Sequence, residues 1–242
     1  MKKLALILLA VALIVTFASC SKSSSSAAPS TSASAATTAP AADTSSTTPS
    51  TGTVDSEYDP NKTVDFTQQT SEENRVVTIG TIDKSLYKQP VFVTSFGQST
   101  DAAMLDTVMK RIGVDYVYNA TATADTIKGY KTIIIAVGAS TKGLGAAGIS
   151  EADETARAKA IMEYINSNDV EVICCHIGGS ARRGTLSDLY SDMVMEKASL
   201  IVLKEDANFD YKFTKYAEEH NKPISLIYAT KDALTVFTEI FQ

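Results

Sequence analysis

From about residue 88 onward, short unbroken apolar runs alternate with stretches in which apolar residues recur every three or four positions. Continuity in Val, Ile and Leu marks strands buried on both faces, and the intervening spacing marks the helices that cover them. Six strands are predicted, at 90–94, 116–119, 132–137, 170–176, 200–203 and 224–228. Between them run three core-facing helical stripes: Met104, Leu105, Val108, Met109 and Ile112; Ala158, Ile161, Met162 and Ile165; and Leu186, Leu189, Met193 and Val194. Ser150 with Asp153, and Thr185 with Asp188, have the Ser/Thr-x-x-acid form that satisfies free amides at a helix start. A helix through Phe213, Tyr216 and Ala217 ends before Pro223, because the residue preceding proline is pushed out of helical geometry. The predicted fold is α/β: a doubly wound, mostly parallel sheet, Rossmann-like or flavodoxin-like, in a three-layer sandwich over 90–242. Residues 56–89 form an N-terminal extension in which 75–82 can add an edge strand or a hairpin packed on the domain.

The amino-terminal pattern is different. Met1-Lys2-Lys3 precedes an apolar run from Leu4 to Phe17 and then Phe17-Ala18-Ser19-Cys20. A run this short, ended by small residues, predicts a cleaved export signal over 1–19 and not a spanning helix. The last four residues resemble a lipobox, with Phe17 where Leu is usual, which implies acylation of Cys20 and a lipid bilayer as partner on the extracytoplasmic side. Residues 20–55 are almost wholly Ser, Thr, Ala, Pro and Gly, and cannot bury enough apolar surface to offset the entropy of ordering. A flexible tether is expected there.

Charge narrows the partners. The chain carries a formal net charge of −6, which argues against nucleic acid and against broad adhesion to anionic lipid. Its basic cluster is local, Arg182-Arg183, and suits a small anion. With Cys20 assigned to lipid, the adjacent Cys174 and Cys175 offer no disulfide framework and read as compact core residues.

In an open parallel sheet, ligands bind beyond the carboxyl ends of the strands. Three loops there are rich in Gly and small polar residues. Ser95-Phe96-Gly97-Gln98-Ser99 combines a glycine for close approach, hydroxyls and a helix start, and is similar to the phosphate loop of flavodoxins with Phe96 in place of a hydroxyl. The segment 138–150 contains Gly143-Leu144-Gly145-Ala146-Ala147-Gly148, a formal dinucleotide fingerprint set too far from its strand and from the next helix; it is read as a ligand-covering loop with Ser140, Lys142 and Gly143. The third runs from His176 through Gly178, Gly179, Arg182, Arg183, Ser187 and Asp188, where paired glycines free the backbone and two guanidinium forks match carboxylate or phosphate oxygens. Glu154 and Arg157 are read as a solvated pair at helical spacing. His176 is the one histidine near these loops; no metal site and no cofactor is expected, since no second His or carboxylate stands at ligand spacing.

Taken together, the three loops resemble an uncharacterised family of bacterial exported lipoproteins, domain-of-unknown-function family 6305, over about 90–228. The resemblance implies an exported α/β domain and brings no activity with it. The residues favour a small-ligand site for an anionic or polar metabolite, with an envelope transporter as a further partner. Two rivals remain open: an enzyme acting on such an anion, with His176 or Asp188 as proton carrier, and an interaction module presenting Phe96 and Arg183 to another envelope protein.

Overall fold

The computed structural model describes residues 66–242; the expected signal, Cys20 and the tether lie outside the described residues. Seven strands form one sheet: β1 (Val76–Ile79), β2 (Val91–Phe96), β3 (Tyr116–Tyr118), β4 (Thr132–Val137), β5 (Glu171–His176), β6 (Leu200–Lys204) and β7 (Ile224–Ile227), in the order β1-β7-β6-β5-β4-β2-β3. Every neighbouring pair is parallel except β1, which lies antiparallel on β7. With β1 set aside, the order is the flavodoxin-type doubly wound order extended by one strand. The winding reverses at β2, which has β3 on one side and β4 on the other.

Alternation of side chains along β4 shows how the layers are built. Ile133, Ile135 and Val137 pack toward α3 (Glu151–Asn166), α4 (Thr185–Met195) and α5 (Lys212–Glu219), whereas Ile134 and Ala136 pack toward α1 (Asp101–Ile112) and α6 (Ala233–Phe241). Cys174 and Cys175 fall on opposite faces for the same reason, and both are buried free thiols. This is the expected three-layer α/β sandwich. The extension joins it as an edge strand, held by the Arg75–Asp232 ion pair at 2.8 Å and by the buried Glu205 carboxylate, which accepts from Gln69 N, Thr70 N and Thr70 Oγ1 at 2.6 Å each.

Three sequence expectations are corrected. The loop expected over 138–150 contains a helix, α2 (Thr141–Ala147), whose glycine at 143 lets it press against the Gln98 carbonyl; a Cβ there would lie 1.9 Å from that oxygen. The C-terminal helix α6 was not anticipated, although Ala233, Val236, Phe237 and Ile240 recur at helical spacing and are buried. Two residues assigned to core stripes, Met104 and Leu189, are 45 % and 44 % exposed; α4 instead buries Ser187, Asp188, Tyr190, Ser191, Val194 and Met195.

Candidate functional site

The carboxyl ends of β2, β4, β5 and β6 do bring the three glycine-rich loops together, but their side chains divide into separate clusters.

At the loop after β2, the anion position is filled from within. Gly97 takes φ +93°, and its N–H donates to Glu154 Oε1 at 2.7 Å; the Gln98 side-chain amide donates to the same oxygen at 3.2 Å and to Ala120 O at 2.9 Å. Arg157 closes on both carboxylate oxygens, at 2.6 and 2.8 Å, and donates to the Ala122 and Ser95 carbonyls. The Glu154 side chain is 0 % exposed. Glu154 and Arg157 are therefore not a solvated pair: they lock the loop, and the backbone donor and amide that would cradle an external anion are spent.

At the loop after β5, Arg183 is equally committed. Its Nε and Nη2 donate to the two Asp188 oxygens at 2.7 and 2.9 Å, Nη1 and Nη2 donate to Asp210 at 3.0 and 2.7 Å, and Nη1 donates to Ala207 O. Its carbon Cζ lies 4.8 Å from the Phe209 ring centre and 5.2 Å from that of Phe213. All five donors of the guanidinium are used in a side chain that is 0 % exposed. Arg183 and Asp188 thus form a structural hub and not a ligand fork. Asp188 does not cap α4 through Thr185 either; Gly184 occupies the cap. Ser187 accepts from Ala139 N at 2.8 Å and ties α4 to the loop after β4.

His176 packs against Phe213 at 5.5 Å on the α5 side, 0 % exposed, with neither ring nitrogen hydrogen-bonded. Burial, and next the Arg183 charge, push it down to about 4, so it is neutral at pH 7. A ring sealed in this way does not touch a solvent-borne ligand. Ser140 and Gly143 are likewise occupied, Ser140 Oγ accepting from Gly143 N at 3.1 Å as the cap of α2, while Lys142 is exposed. Gly179 (φ +76°) faces the Lys204–Asp206 ion pair.

One cluster remains uncommitted, and its central residue was missed in the sequence. Asp101, in the first turn of α1 beside the reversal point of the sheet, is 1 % exposed, yet its Oδ2 has no hydrogen-bond partner. Burial raises its carboxyl to about 6 against the opposing pull of Arg182, the Gly178 amide and the Ser99 hydroxyl. Gly178 is the spacer: a Cβ would sit 2.4 Å from Arg182 Cγ and 2.7 Å from Asp101 Oδ2. Among the described residues, the Arg182 guanidinium has no ion pair or hydrogen bond. Ser95, one strand position from Phe96 and on the sheet face of α1, has a second unpartnered buried oxygen. Of the residues expected to form a site, Ser99, Gly178 and Arg182 fit this cluster and Ser95 shares its face of the sheet; Gly97, Gln98, Ser140, Gly143, His176, Arg183, Ser187 and Asp188 are taken up by structure.

A cavity of about 600 Å³ lies elsewhere, between Ile79, Gly80 and the α5–β7 connection at Lys222 and Pro223, away from this chemistry. A groove of about 210 Å³ runs between α1 and α6, lined by Met104, Thr107, Val108, Arg111, Thr230, Lys231 and Leu234. Among the described residues no group of three or more His, Cys, Asp and Glu side chains could hold a metal ion, and no helix is long and apolar enough to cross a membrane.

Fold and site together define a doubly wound α/β domain with an uncommitted polar cluster at its carboxyl edge. The family model of a domain of unknown function, DUF6305, matches residues 88–241, and the chain belongs to that family. No curated protein matches it. Similar solved structures include a GDSL-like lipase from Bacteroides thetaiotaomicron, 13 % identical with a TM-score of 0.26 over 59 % of this chain and 73 % of that one. Another is a putative acylhydrolase from Bacteroides fragilis, 11 % identical with a TM-score of 0.25 over 57 % and 68 %. Likeness at this level carries no argument about activity.

Proposed function

We propose that this protein is an extracytoplasmic lipoprotein, held at a bilayer through acylated Cys20, whose α/β domain binds a small anionic or polar ligand at the carboxyl ends of β2, β4 and β5. The observation that carries the binding reading is Asp101: a buried carboxyl with a free oxygen, beside an unpaired Arg182, where ligands of doubly wound sheets collect. Leaving such an oxygen without a partner costs on the order of 1–3 kcal/mol, which a bound ligand would recover. Arg182 supplies positive charge for an acidic group, and Asp101 with Ser99 supplies donor and acceptor.

The test is thermal-shift and native mass-spectrometric screening of the full chain against small carboxylates, phosphates and polyols. Stabilisation that disappears in Arg182→Ala and Asp101→Asn, and persists in Lys142→Ala, supports the reading; a panel without any response sends the protein to the interaction-module class. Acylation is checked separately by incorporation of labelled fatty acid, which Cys20→Ser abolishes if the lipobox reading holds.

A second reading, catalysis on the same ligand, is favoured by the carboxyl near 6, the range in which a group can both give and take a proton at neutral pH. Asp101, not His176, would then carry the proton. Turnover lost in Asp101→Asn with binding retained would distinguish it.

A further inference from the structure

The α1–α6 groove abuts the Asp101 cluster. Met104 lies one turn beyond Asp101 on α1, and the Thr230 hydroxyl, a wall of the groove, donates at 2.8 Å to the carbonyl of Ile177, next to Gly178. The groove's floor is apolar, from Val108 and Leu234, and its rim carries Met104, 45 % exposed. At about 210 Å³ it is smaller than the roughly 300–1,000 Å³ of a complete small-molecule site. That size suits half of a ligand, with the polar half at the cluster.

Charge selects the kind of head group. The acids around the groove are paired elsewhere: Asp106 with Lys110, Asp232 with Arg75, Glu239 with Lys84. Arg111, Lys231 and Arg182 have no ion pair among the described residues. A chain with a net charge of −6 thus leaves three unpaired cations along one apolar groove and its mouth. Resting on the ligand-binding reading above, we propose that the ligand is a single-chain acidic amphiphile, its apolar chain in the α1–α6 groove and its acidic head at Lys231 and Arg182 beside Asp101.

The test uses the full chain in phospholipid nanodiscs, with empty nanodiscs as blank, titrated calorimetrically with octanoate, acetate and octyl glucoside. The methyl resonance of Met104 serves as a local readout. A fully buried methylene gains roughly fourfold in affinity, so a groove covering half of the added chain predicts octanoate on the order of fiftyfold tighter than acetate. It should also bind at least about tenfold tighter than octyl glucoside, shift the Met104 methyl, and weaken several-fold in Met104→Ser and in Lys231→Gln. Met104 and Lys231 are exposed, so neither change threatens the fold.

Equal binding of octanoate and acetate, both lost in Arg182→Ala, would overturn the amphiphile assignment and leave the small-anion site standing. Equal binding of octyl glucoside would overturn the acidic head. Octanoate binding that ignores Met104→Ser and Lys231→Gln would place the chain outside the groove, and no binding of octanoate at all would likewise refute the proposal.

Discussion

Replacing Arg183 by alanine separates a structural arginine from a ligand-binding one. The side chain is fully buried, donates to Asp188, Asp210 and the Ala207 carbonyl, and is sandwiched by Phe209 and Phe213. Alanine leaves two carboxylates facing each other, their side chains only 10 % and 29 % exposed, together with a void between two rings. Breaking a buried pair by removing one partner costs about 3–5 kcal/mol. For a domain of this size, 1 kcal/mol moves Tm by about 2–4 °C, so the expected loss is on the order of 6–20 °C. Arg183→Lys recovers little, because an ammonium cannot reproduce the planar two-carboxylate fork. The assay is reversible urea and thermal unfolding followed by far-UV circular dichroism, alongside ligand screening. A loss below about 1 kcal/mol, combined with loss of ligand response in a folded variant, would refute the hub assignment and return Arg183 to the site.

Glu154→Ala should destabilise by a similar 3–5 kcal/mol, since it strands Arg157 and frees the Gly97 N–H, whereas Glu154→Gln should cost clearly less; both are read by urea unfolding. Asp101 has the opposite sign. Its folded pKa near 6 lies above the ordinary carboxyl value of 3.8, so the folded state holds the extra proton between those values and stability falls as pH rises from about 4 to 6. Asp101→Asn should remove that slope and stabilise the unliganded protein at pH 7 by up to about 3 kcal/mol, with equal slopes in the two proteins counting against the buried-carboxyl assignment. Gly143→Ala places a methyl 1.9 Å from the Gln98 carbonyl and should cost about 1–3 kcal/mol; an unchanged Tm would mean that α2 does not press on that loop.

Pattern and tertiary structure contributed differently at each position. The strand cores, above all Thr132–Val137 and Glu171–His176, were legible because double-sided burial demands an unbroken apolar run, a local property. Ser150 was readable as a cap because the hydroxyl and the amide it accepts from, Asp153 N at 3.1 Å, are three residues apart. The winding class also followed from the alternation of runs and stripes. Met104 and Leu189 were misassigned because an apolar residue at helical spacing carries no mark of which face a neighbour covers. The helix α2 was missed because Gly143 and Gly145 within its seven residues argue locally against a helix, and the packing of Gly143 against the Gln98 carbonyl is non-local.

The site was legible only as a region. Sequence alone determined that Gly-rich, polar loops follow buried strands, at the edge where ligands of doubly wound sheets collect. Only the tertiary structure decided which charges there are already spent. Arg183 meets Asp210 across 27 residues, and Gly97 meets Glu154 across 57. Arg182 and Arg183 are neighbours in sequence and opposite in role, one half-buried without an ion pair and the other fully bonded inside. The physical reason is that a donor's availability is the difference between its capacity and what distant partners take from it, and only the folded chain sets that difference.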